Sequence, residues 1–246
     1  LVGSEMCIRD RFKVDVVVYP ELYLKNLIIT QIYQVLFNLS PAIEVSFWNG
    51  MKLTAQMVFP IYNDGYGKRM DKIHPGTIAL SQSFRLPMRT FARVSVGLFD
   101  SDRYGIDLKA VHYFKDERFS AEGRIGCTGT GYWNGFEFHY GKHQRITWSL
   151  GGSFYWPKYN TQISLKAEQY LLHEVGGRID LIRHFRYCSI GFYAMKAQGA
   201  LKNGGFRFQV ALPPYKYKRK YARVTTSDNW GMSYNCLLYT SDAADD

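Results

Sequence analysis

The stretch from Pro41 to Ile61, PAIEVSFWNGMKLTAQMVFPI, decides the fold. Asn49-Gly50 lies between two runs of strand-forming residues and predicts a β-hairpin with positive φ at both turn positions. Successive side chains of a strand point to opposite faces, so the stretch predicts a ribbon with one apolar and one polar side. The apolar side holds Met51, Leu53, Ala55, Met57, Phe59 and Ile61, and the polar side holds Lys52, Thr54 and Gln56. Much of the chain repeats this unit.

The two ends of the chain differ in character from the rest. LVGSEMCIRD and CLLYTSDAADD resemble translations of the adapter and transposon-end sequences that are used to prepare sequencing libraries. We therefore expect residues 1–10 and 236–246 to be sequencing-adapter scars, which are set aside in reasoning about the fold. Residues 11–235 are expected to be one β-barrel domain, as a truncated fragment. The alternative is a genuine but irregular pair of termini.

Composition limits the classes of partner. The formal net charge is +10, and it rises to about +13 without the acidic C-terminal segment. Such a positive charge favours anionic partners such as nucleic acid, anionic lipid or acidic glycan.

Outside the two end segments the cysteines are Cys127 and Cys188, whose spacing supports neither a zinc site nor a disulfide framework. We expect two half-buried thiols. No run of apolar residues is long enough for a transmembrane helix.

Alternation predicts a series of strands, each about as long as a tilted membrane-spanning strand, roughly 9–11 residues. Near the start, one candidate covers 14–19 and ends at Pro20, and a second covers 32–39. The later strands are predicted at 42–48, 51–61, 77–86, 90–99, 104–114, 118–128, 144–156, 159–171, 176–185, 188–197 and 205–212. Short connections alternate with generally longer ones, which is typical of outer-membrane barrels.

The same alternation fits two all-β architectures. In a soluble sandwich the polar face meets water, whereas in a membrane barrel the apolar face meets lipid and the polar face lines the lumen. Periodicity alone leaves both open. Long strands, aromatic residues near strand ends such as Trp48, Trp133 and Trp156, and glycines within strands favour the barrel. The sequence thus predicts an antiparallel transmembrane barrel of the outer-membrane type.

Positive residues on the polar face form the candidate site. They are Lys52, Arg93, Lys109, Arg124, Arg145, Lys166, Arg178 and Arg207. Rings of arginine and lysine that line a pore favour anions, so we hypothesise a guide for an acidic polysaccharide. Asp107, Glu122, Glu168 and Asp180 would interrupt the guide so that the polymer is not trapped. The alternative is that these charges pair across strands and fill the lumen.

Other chemistry has weaker support. His139 and His143 are predicted to be loop residues, because a metal site needs further ligands. Ser149, Ser153 and His173 do not by themselves indicate a hydrolase, and Gly129–Gly131 in TGTGYW precedes no helix and predicts a glycine-rich loop. The basic cluster 216–223 predicts a solvated segment near anionic lipid, with no nucleic-acid partner. We therefore expect no enzyme activity, no metal and no cofactor.

A resemblance to a known family begins at Tyr159 and ends at Pro214. PKYNTQISLKAEQYLLHEVGGRIDLIRHF, IGFYAMKA and LKNGGFRFQVALPP resemble the YjbH-type exopolysaccharide-biosynthesis outer-membrane protein family. The matching residues are Glu168, Tyr170, Leu171, Gly177, Arg178, Arg183, Phe185, Gly205, Phe208 and Pro213. Asn203 departs from the family, which places Asp-Lys-Gly near that position. FNLSPAIEVSFWNGMKLTAQMVFPIYND is similar to the family's earlier barrel portion.

The resemblance implies an outer-membrane barrel of a Gram-negative bacterium that supports the biosynthesis or export of an extracellular or capsular polysaccharide. Its expected partners are outer-membrane lipid and lipopolysaccharide, an anionic polysaccharide and other exopolysaccharide-assembly proteins. No catalytic residue is implied. Two alternatives remain open: a soluble all-β glycan-binding protein, and a barrel enzyme acting on lipid or glycan.

Overall fold

The computed structural model of the chain is an all-β barrel, and it describes residues 13–27, 31–99, 102–169, 175–198, 203–212 and 222–237. Its strands are β1 Lys13–Leu27, β2 Gln31–Ser46, β3 Met51–Asp64, β4 His74–Leu86, β5 Thr90–Phe99, β6 Arg103–Tyr113, β7 Phe119–Asn134, β8 Glu137–Trp156, β9 Thr161–Gln169, β10 Val175–His184, β11 Cys188–Ala197, β12 Asn203–Ala211, β13 Ala222–Thr226 and β14 Asn229–Leu237. Short 3-10 helices cover Lys68–Asp71 and Pro157–Tyr159. Within the described ranges, no helix is long and apolar enough to cross a membrane.

The sheet closes on itself. Each strand from β1 to β11 pairs antiparallel with the next, and β12 pairs antiparallel with β14. β13 and β14 both pair with β1, one after the other along its length. β1 meets both of them in parallel, with Val14 beside Ala222 and Leu24 beside Tyr234. The fourteen strands therefore fill thirteen positions around the ring. A ring with an odd number of positions cannot alternate in direction all the way round, so one parallel junction is unavoidable.

The outward face is apolar, which is the reverse of a protein dissolved in water. Large apolar side chains are exposed on nearly every strand, including Ile43, Leu80, Val96, Ile106, Ile125, Leu150, Leu165, Leu181 and Phe192. Exposed aromatic rings lie at one end of this apolar band, among them Phe84, Phe114, Phe119, Trp156 and Phe185. From Ile146 to Trp156 a strand rises about 33 Å, and at a tilt of about 40° this covers about 25 Å of bilayer. The band fits a membrane and confirms the predicted barrel.

The inside of the barrel has one packed wall, formed by β1, β2 and β3. Its buried inward-facing residues are Val17, Leu36, Asn38, Ser40, Ala42, Gln56 and Val58. The carboxylate of Glu21 accepts hydrogen bonds from the Ser40 hydroxyl at 3.1 Å and from the Gln56 amide at 2.9 Å. Because buried polar groups are costly unless they are hydrogen-bonded, these contacts fix the side chains of the packed wall.

The wall from β4 to β9 is open by comparison. Many of its inward-facing positions hold small residues, namely Ser81, Ser83, Ser95, Gly126, Thr147, Ser149 and Gly151. Short side chains leave room in front of the sheet, so any long side chain on this wall extends into the lumen. β7, β8 and β9 lie across the thirteen-position ring from β1, β2 and β3. The lumen is therefore asymmetric.

The two ends of the barrel differ. Short turns at 47–50, 87–89, 114–118, 157–160 and 185–187 form one end, which we call the turn end. At the other end, the loop end, β7 and β8 continue beyond the position where Arg103 of β6 pairs with Thr130. The predicted glycine-rich loop around Gly129–Gly131 is wrong, since β7 runs to Asn134. The chain turns only at Gly135, whose φ of 64° suits glycine.

Two predicted breaks at prolines are also wrong. β1 runs through Pro20 and β2 runs through Pro41, so the candidates at 32–39 and 42–48 form one strand. Proline lacks an N–H group and is tolerated in a sheet where that group is not needed. The β2–β3 register skips Pro41, passing from Leu39 beside Phe59 to Ala42 beside Gln56.

The chain end and the first hairpin also depart from the prediction. The sequence predicts no strand after Leu212, yet β13 and β14 complete the ring, and β14 extends to Leu237. β13 is short and polar, so alternation gives little signal there. In the hairpin after β2, only Gly50 has a positive φ, of 86°. This value fits position i+2 of a type II turn rather than the predicted pair of positive φ angles.

We expect the two faces of β8 to respond oppositely to a charge. Leu150→Arg places a cation on the outward face, where Leu150 is 63% exposed, and should lower the free energy of unfolding by about 2–4 kcal/mol near the bilayer midplane. Thr147→Arg places the same charge on the inward face and is the matched control. Urea unfolding of the barrel in lipid vesicles measures both. Equal losses would contradict the assignment of the two faces.

Candidate functional site

The structure places all eight predicted cations at inward-facing strand positions. Lys52 lies on β3, Arg93 on β5, Lys109 on β6, Arg124 on β7, Arg145 on β8, Lys166 on β9, Arg178 on β10 and Arg207 on β12. The side chains of Lys109 and Arg124 are 49% and 56% exposed although they point inward. The lumen around them is therefore open to water.

Arg93, Lys109 and Arg124 lie side by side in one row across β5, β6 and β7. Ser83 of β4 begins the row, and Ser149 of β8 follows Arg124. Like charges directly opposite one another destabilise a sheet. A row of three adjacent cations is thus unfavourable for the fold alone, and we call it the cation row.

Two carboxylates lie diagonally next to the cation row. Asp107 accepts a hydrogen bond from Nε of Arg124 at 2.6 Å. Glu122 forms ion pairs with Nζ of Lys109, at 3.5 Å, and with Nζ of Lys166. Arg93 instead donates from Nε to the hydroxyl of Ser83 at 3.2 Å. The two carboxylates thus reduce the positive potential along the cation row, and Glu122 is shared between Lys109 and Lys166.

Gly151 allows Lys166 and Glu122 to meet across an intervening strand. Glu122, Gly151 and Lys166 are in register on β7, β8 and β9. A Cβ atom on Gly151 would lie 3.0 Å from Cγ of Lys166, 3.1 Å from the Leu165 carbonyl oxygen and 3.3 Å from Cγ of Glu122. Because Gly151 has no side chain, Lys166 and Glu122 can reach each other across β8 and form their ion pair.

Arg178 is held more tightly than the cations of the row. Its Nε and Nη2 atoms donate to the carboxylate of Asp180 at 2.8–3.1 Å, and Asp180 is buried. The guanidinium lies 4.5 Å from the centroid of the Tyr193 ring, and Glu168 adds a further electrostatic attraction. A bidentate, stacked arginine is a fixed part of the wall.

The remaining predicted cations lie elsewhere around the ring. Lys52 forms an ion pair with Glu44 at 2.6 Å on the packed wall, where the hydroxyl of Tyr19 also donates to Glu44 at 2.9 Å. Arg145 is in register with Thr128 of β7, and Arg207 lies between Gly191 and Ser233. The structure thus gathers Arg93, Lys109, Arg124, Lys166 and Arg178 on one side and separates Lys52 and Arg207 from them.

The acidic side chains of the packed wall are the residues that the sequence prediction missed. Glu21 and Glu44 lie on the polar faces of β1 and β2 and could have been found by the same alternation that identified the cations. For Glu21 the predicted end of β1 at Pro20 hid this signal, whereas Glu44 lies within the predicted strand 42–48. Both glutamates serve as hydrogen-bond acceptors that hold the wall together.

The other predicted candidates have mixed outcomes. His139 lies in β8, not in a loop, and its ring stacks on Tyr132 at 5.3 Å. Ser153 exchanges a 2.6 Å hydrogen bond with Ser120, and Cys127 is exposed on the outward face rather than half-buried. The described ranges contain no cluster of three or more His, Cys, Asp or Glu residues that could hold a metal. His173, the side chain of His143 and most of 216–223 lie outside the described residues.

Comparison with known proteins gives one match. No protein-family model matches the chain, and no curated protein matches it. A solved structure described as OmpT (in-vitro folded), an outer membrane protein of Vibrio cholerae, is similar over 99% of this chain and 94% of its own, with 10% sequence identity and a TM-score of 0.36. This TM-score is too low to carry an argument. The chain's own strand pairing and outward apolar band identify a barrel of the outer membrane of a Gram-negative bacterium.

The prediction that the protein is not an enzyme is wrong as it was stated. It rested on the failure to place catalytic groups in the sequence, together with a family resemblance that implied none. The fold proves to be an outer-membrane barrel, and a fold of this kind gives no positive support for a protein without activity. We therefore withdraw that prediction.

We expect two glycines on neighbouring strands to differ in their response to alanine. Gly123→Ala adds a methyl group where nothing lies within 4 Å, so it should stabilise the barrel slightly by restricting the unfolded chain. Gly151→Ala forces Lys166 and Glu122 apart and should leave that variant about 1 kcal/mol less stable than Gly123→Ala. Guanidinium unfolding in detergent micelles measures the difference. Equal stability would show that the Lys166–Glu122 pair does not depend on Gly151.

Proposed function

We propose that this barrel supports the biosynthesis or export of an acidic extracellular or capsular polysaccharide, whose chain contacts the basic open wall of the lumen. The observation that carries the proposal is that Lys109 and Arg124 point inward and are nevertheless about half exposed. Cations in this position remain available to a ligand in the lumen. Basic residues lining a pore favour anions.

The arrangement of charges on the open wall suits a moving polymer better than a tightly held ligand. Cations alternate with carboxylates in the sets Asp107–Arg124 and Lys109–Glu122–Lys166, and on the adjoining β10 in the pair Arg178–Asp180. Passage requires binding that is favourable enough for entry but weak enough for release. The carboxylates weaken each individual contact, while the exposed cations keep the wall attractive to an anionic chain.

The alternative, in which ion pairs simply fill the lumen, accounts for only part of the wall. Arg178 and Asp180 are well paired and Asp180 is buried, as that alternative expects. Arg93 is exposed and bonded to the Ser83 hydroxyl, and Arg124 remains exposed in spite of its bond to Asp107. Small residues such as Ser95 and Ser149 also leave the space in front of the open wall unfilled.

The proposed partners follow from the same features. The outward apolar band contacts outer-membrane lipid, and its aromatic rings at the turn end suit the interface of the membrane with water. A passive barrel supplies no energy for moving a polymer, so synthesis and export would depend on other exopolysaccharide-assembly proteins. The resemblance at 159–214 supports this assignment, and the soluble glycan-binding alternative is set aside because the apolar face is outside.

We expect reversal of two lumenal charges to impair export. The double substitution Arg145→Glu and Lys166→Glu replaces attraction for an anionic chain by repulsion. It should reduce the secreted acidic polysaccharide of the protein's own bacterium at least severalfold when the variant replaces the chromosomal gene. Cell-free polymer, measured by its uronic acid content, gives the readout.

The control for this experiment is Arg183→Glu, which reverses an outward charge at the turn end. Both variants are first checked for a heat-modifiable band in outer membranes, which reports a folded barrel. Undiminished export with a folded double variant would overturn the proposed guide.

A further inference from the structure

We propose that the cation row, Arg93, Lys109 and Arg124, is a discrete binding site for a polyanion that carries carboxylates on successive sugar units. The inference deepens the proposed function, on which it rests for taking the polymer to be a sugar chain. The open wall as a whole attracts anions. The row is the one place on it, within the described residues, where three cations occupy directly adjacent positions.

The register fixes the spacing of the site. Arg93 pairs with Lys109, and Lys109 pairs with Arg124, on three neighbouring strands. Neighbouring strands lie about 4.8 Å apart, so the three Cα positions span about 10 Å. A single small anion could contact only part of this length. Several anionic groups joined in one chain could contact all three cations together, and each further contact would then be intramolecular.

The charge balance leaves the row positive. Asp107 is bonded to Arg124 at 2.6 Å, and Glu122 is divided between Lys109 and Lys166. Arg93 is bonded to the neutral hydroxyl of Ser83. Glu168 of β9 is in register with Ser149 and continues the row. Three carboxylates therefore face four cations in this part of the wall. Mutual repulsion within the row costs free energy in the empty barrel, and a bound polyanion would remove that cost.

The surroundings of the row keep it accessible. Four inward neighbours along or beside the row are small, namely Ser83, Ser95, Gly126 and Ser149. The larger Phe91 and Val111 lie next to Arg93 and Lys109 only on the side of the turn end. The side chains of Lys109 and Arg124 are about half exposed, so their neighbours do not cover them. The hydroxyl groups of Ser83, Ser95 and Ser149 beside the row can also hydrogen-bond the hydroxyls of a sugar.

The strand tilt gives the row a direction. The row runs perpendicular to the strands, and strands of such barrels are tilted by about 40° from the barrel axis. The row is therefore inclined to the membrane plane by about the same angle. A polymer lying along it would cross the lumen obliquely and would descend as it passes from one cation to the next. The site is thus compatible with passage through the barrel.

Other cations of the barrel lack these properties. Lys52 is neutralised by Glu44 on the packed wall. Arg178 is bound in a bidentate manner to buried Asp180 and stacked near Tyr193. Arg207 lies between Gly191 and Ser233, with no cation beside it in register. Arg207 is therefore the matched control for a lumenal cation outside the row.

Equilibrium binding to the full chain in lipid nanodiscs tests the site. The probes are fluorescently labelled mono- and trigalacturonate, with labelled maltotriose as the neutral counterpart. We expect trigalacturonate to bind more than tenfold more tightly than monogalacturonate, and maltotriose to bind no better than the free label. Arg93→Gln should weaken trigalacturonate binding about fivefold, as expected for the loss of one partly exposed charged contact. Arg207→Gln should change it by less than twofold.

A second variant keeps the test decisive if Arg93→Gln folds poorly. Lys109→Met removes the central cation, and it should weaken binding at least as much. Each variant is compared only as a heat-modifiable, folded barrel. Equal effects of Arg207→Gln and the row variants would overturn the site, because general lumenal charge would then be sufficient. Equal affinity for mono- and trigalacturonate would overturn it as well.

The outcome is separable from that of the export experiment. Binding in nanodiscs requires no polymer synthesis and no other protein. A barrel that binds trigalacturonate through the row but exports normally after charge reversal keeps the site and loses the proposed export guide. A barrel that loses export after charge reversal but binds equally without Arg93 and without Lys109 keeps the proposed function and loses the site.

Discussion

A bilayer offers no hydrogen-bond partner to a strand, so each backbone N–H and C=O group at membrane depth must pair with a neighbouring strand. The rest of this structure depends on that constraint. It requires the sheet to close, and closure with thirteen positions forces the parallel junction of β1 with β13 and β14. Closure also separates the two faces of every strand: one meets lipid and the other a lumen. On β8, for example, Leu150 is exposed on the outward face and Thr147 lies on the inward face.

The lumen that results is not lined uniformly. On β1, β2 and β3 many inward side chains are buried, and Glu21 and Glu44 accept hydrogen bonds from Ser40, Gln56 and Tyr19. On the open wall, small residues leave long cations in contact with water. Placing Arg93, Lys109 and Arg124 side by side opposes the stability of the sheet. Sequences violate such local rules chiefly at functional positions, so the row is the strongest indication of function in the barrel.

Much of the fold and of the candidate site could be predicted from the sequence. The period of two in stretches such as 51–61 and 161–169 assigned faces correctly, and with them the inward position of all eight cations. Predictions failed where the local signal misleads. Proline suggested an end to β1 at Pro20 and a break in β2 at Pro41, although both strands continue through these residues and the β2–β3 register passes over Pro41. Glycines around Gly131 suggested a loop, although they lie in the β7–β8 hairpin.

The sequence by itself determined the strands and the two faces of each strand, because alternation is a property of neighbouring residues along one chain. It left open whether the apolar face met lipid or a second sheet, because both environments select the same residues. Only the tertiary structure decided this, by closing the ring. Only the register across strands could bring Arg93, Lys109 and Arg124 into one row and let Lys166 reach Glu122 over Gly151. These contacts join residues far apart in the chain, and no local pattern encodes their pairing.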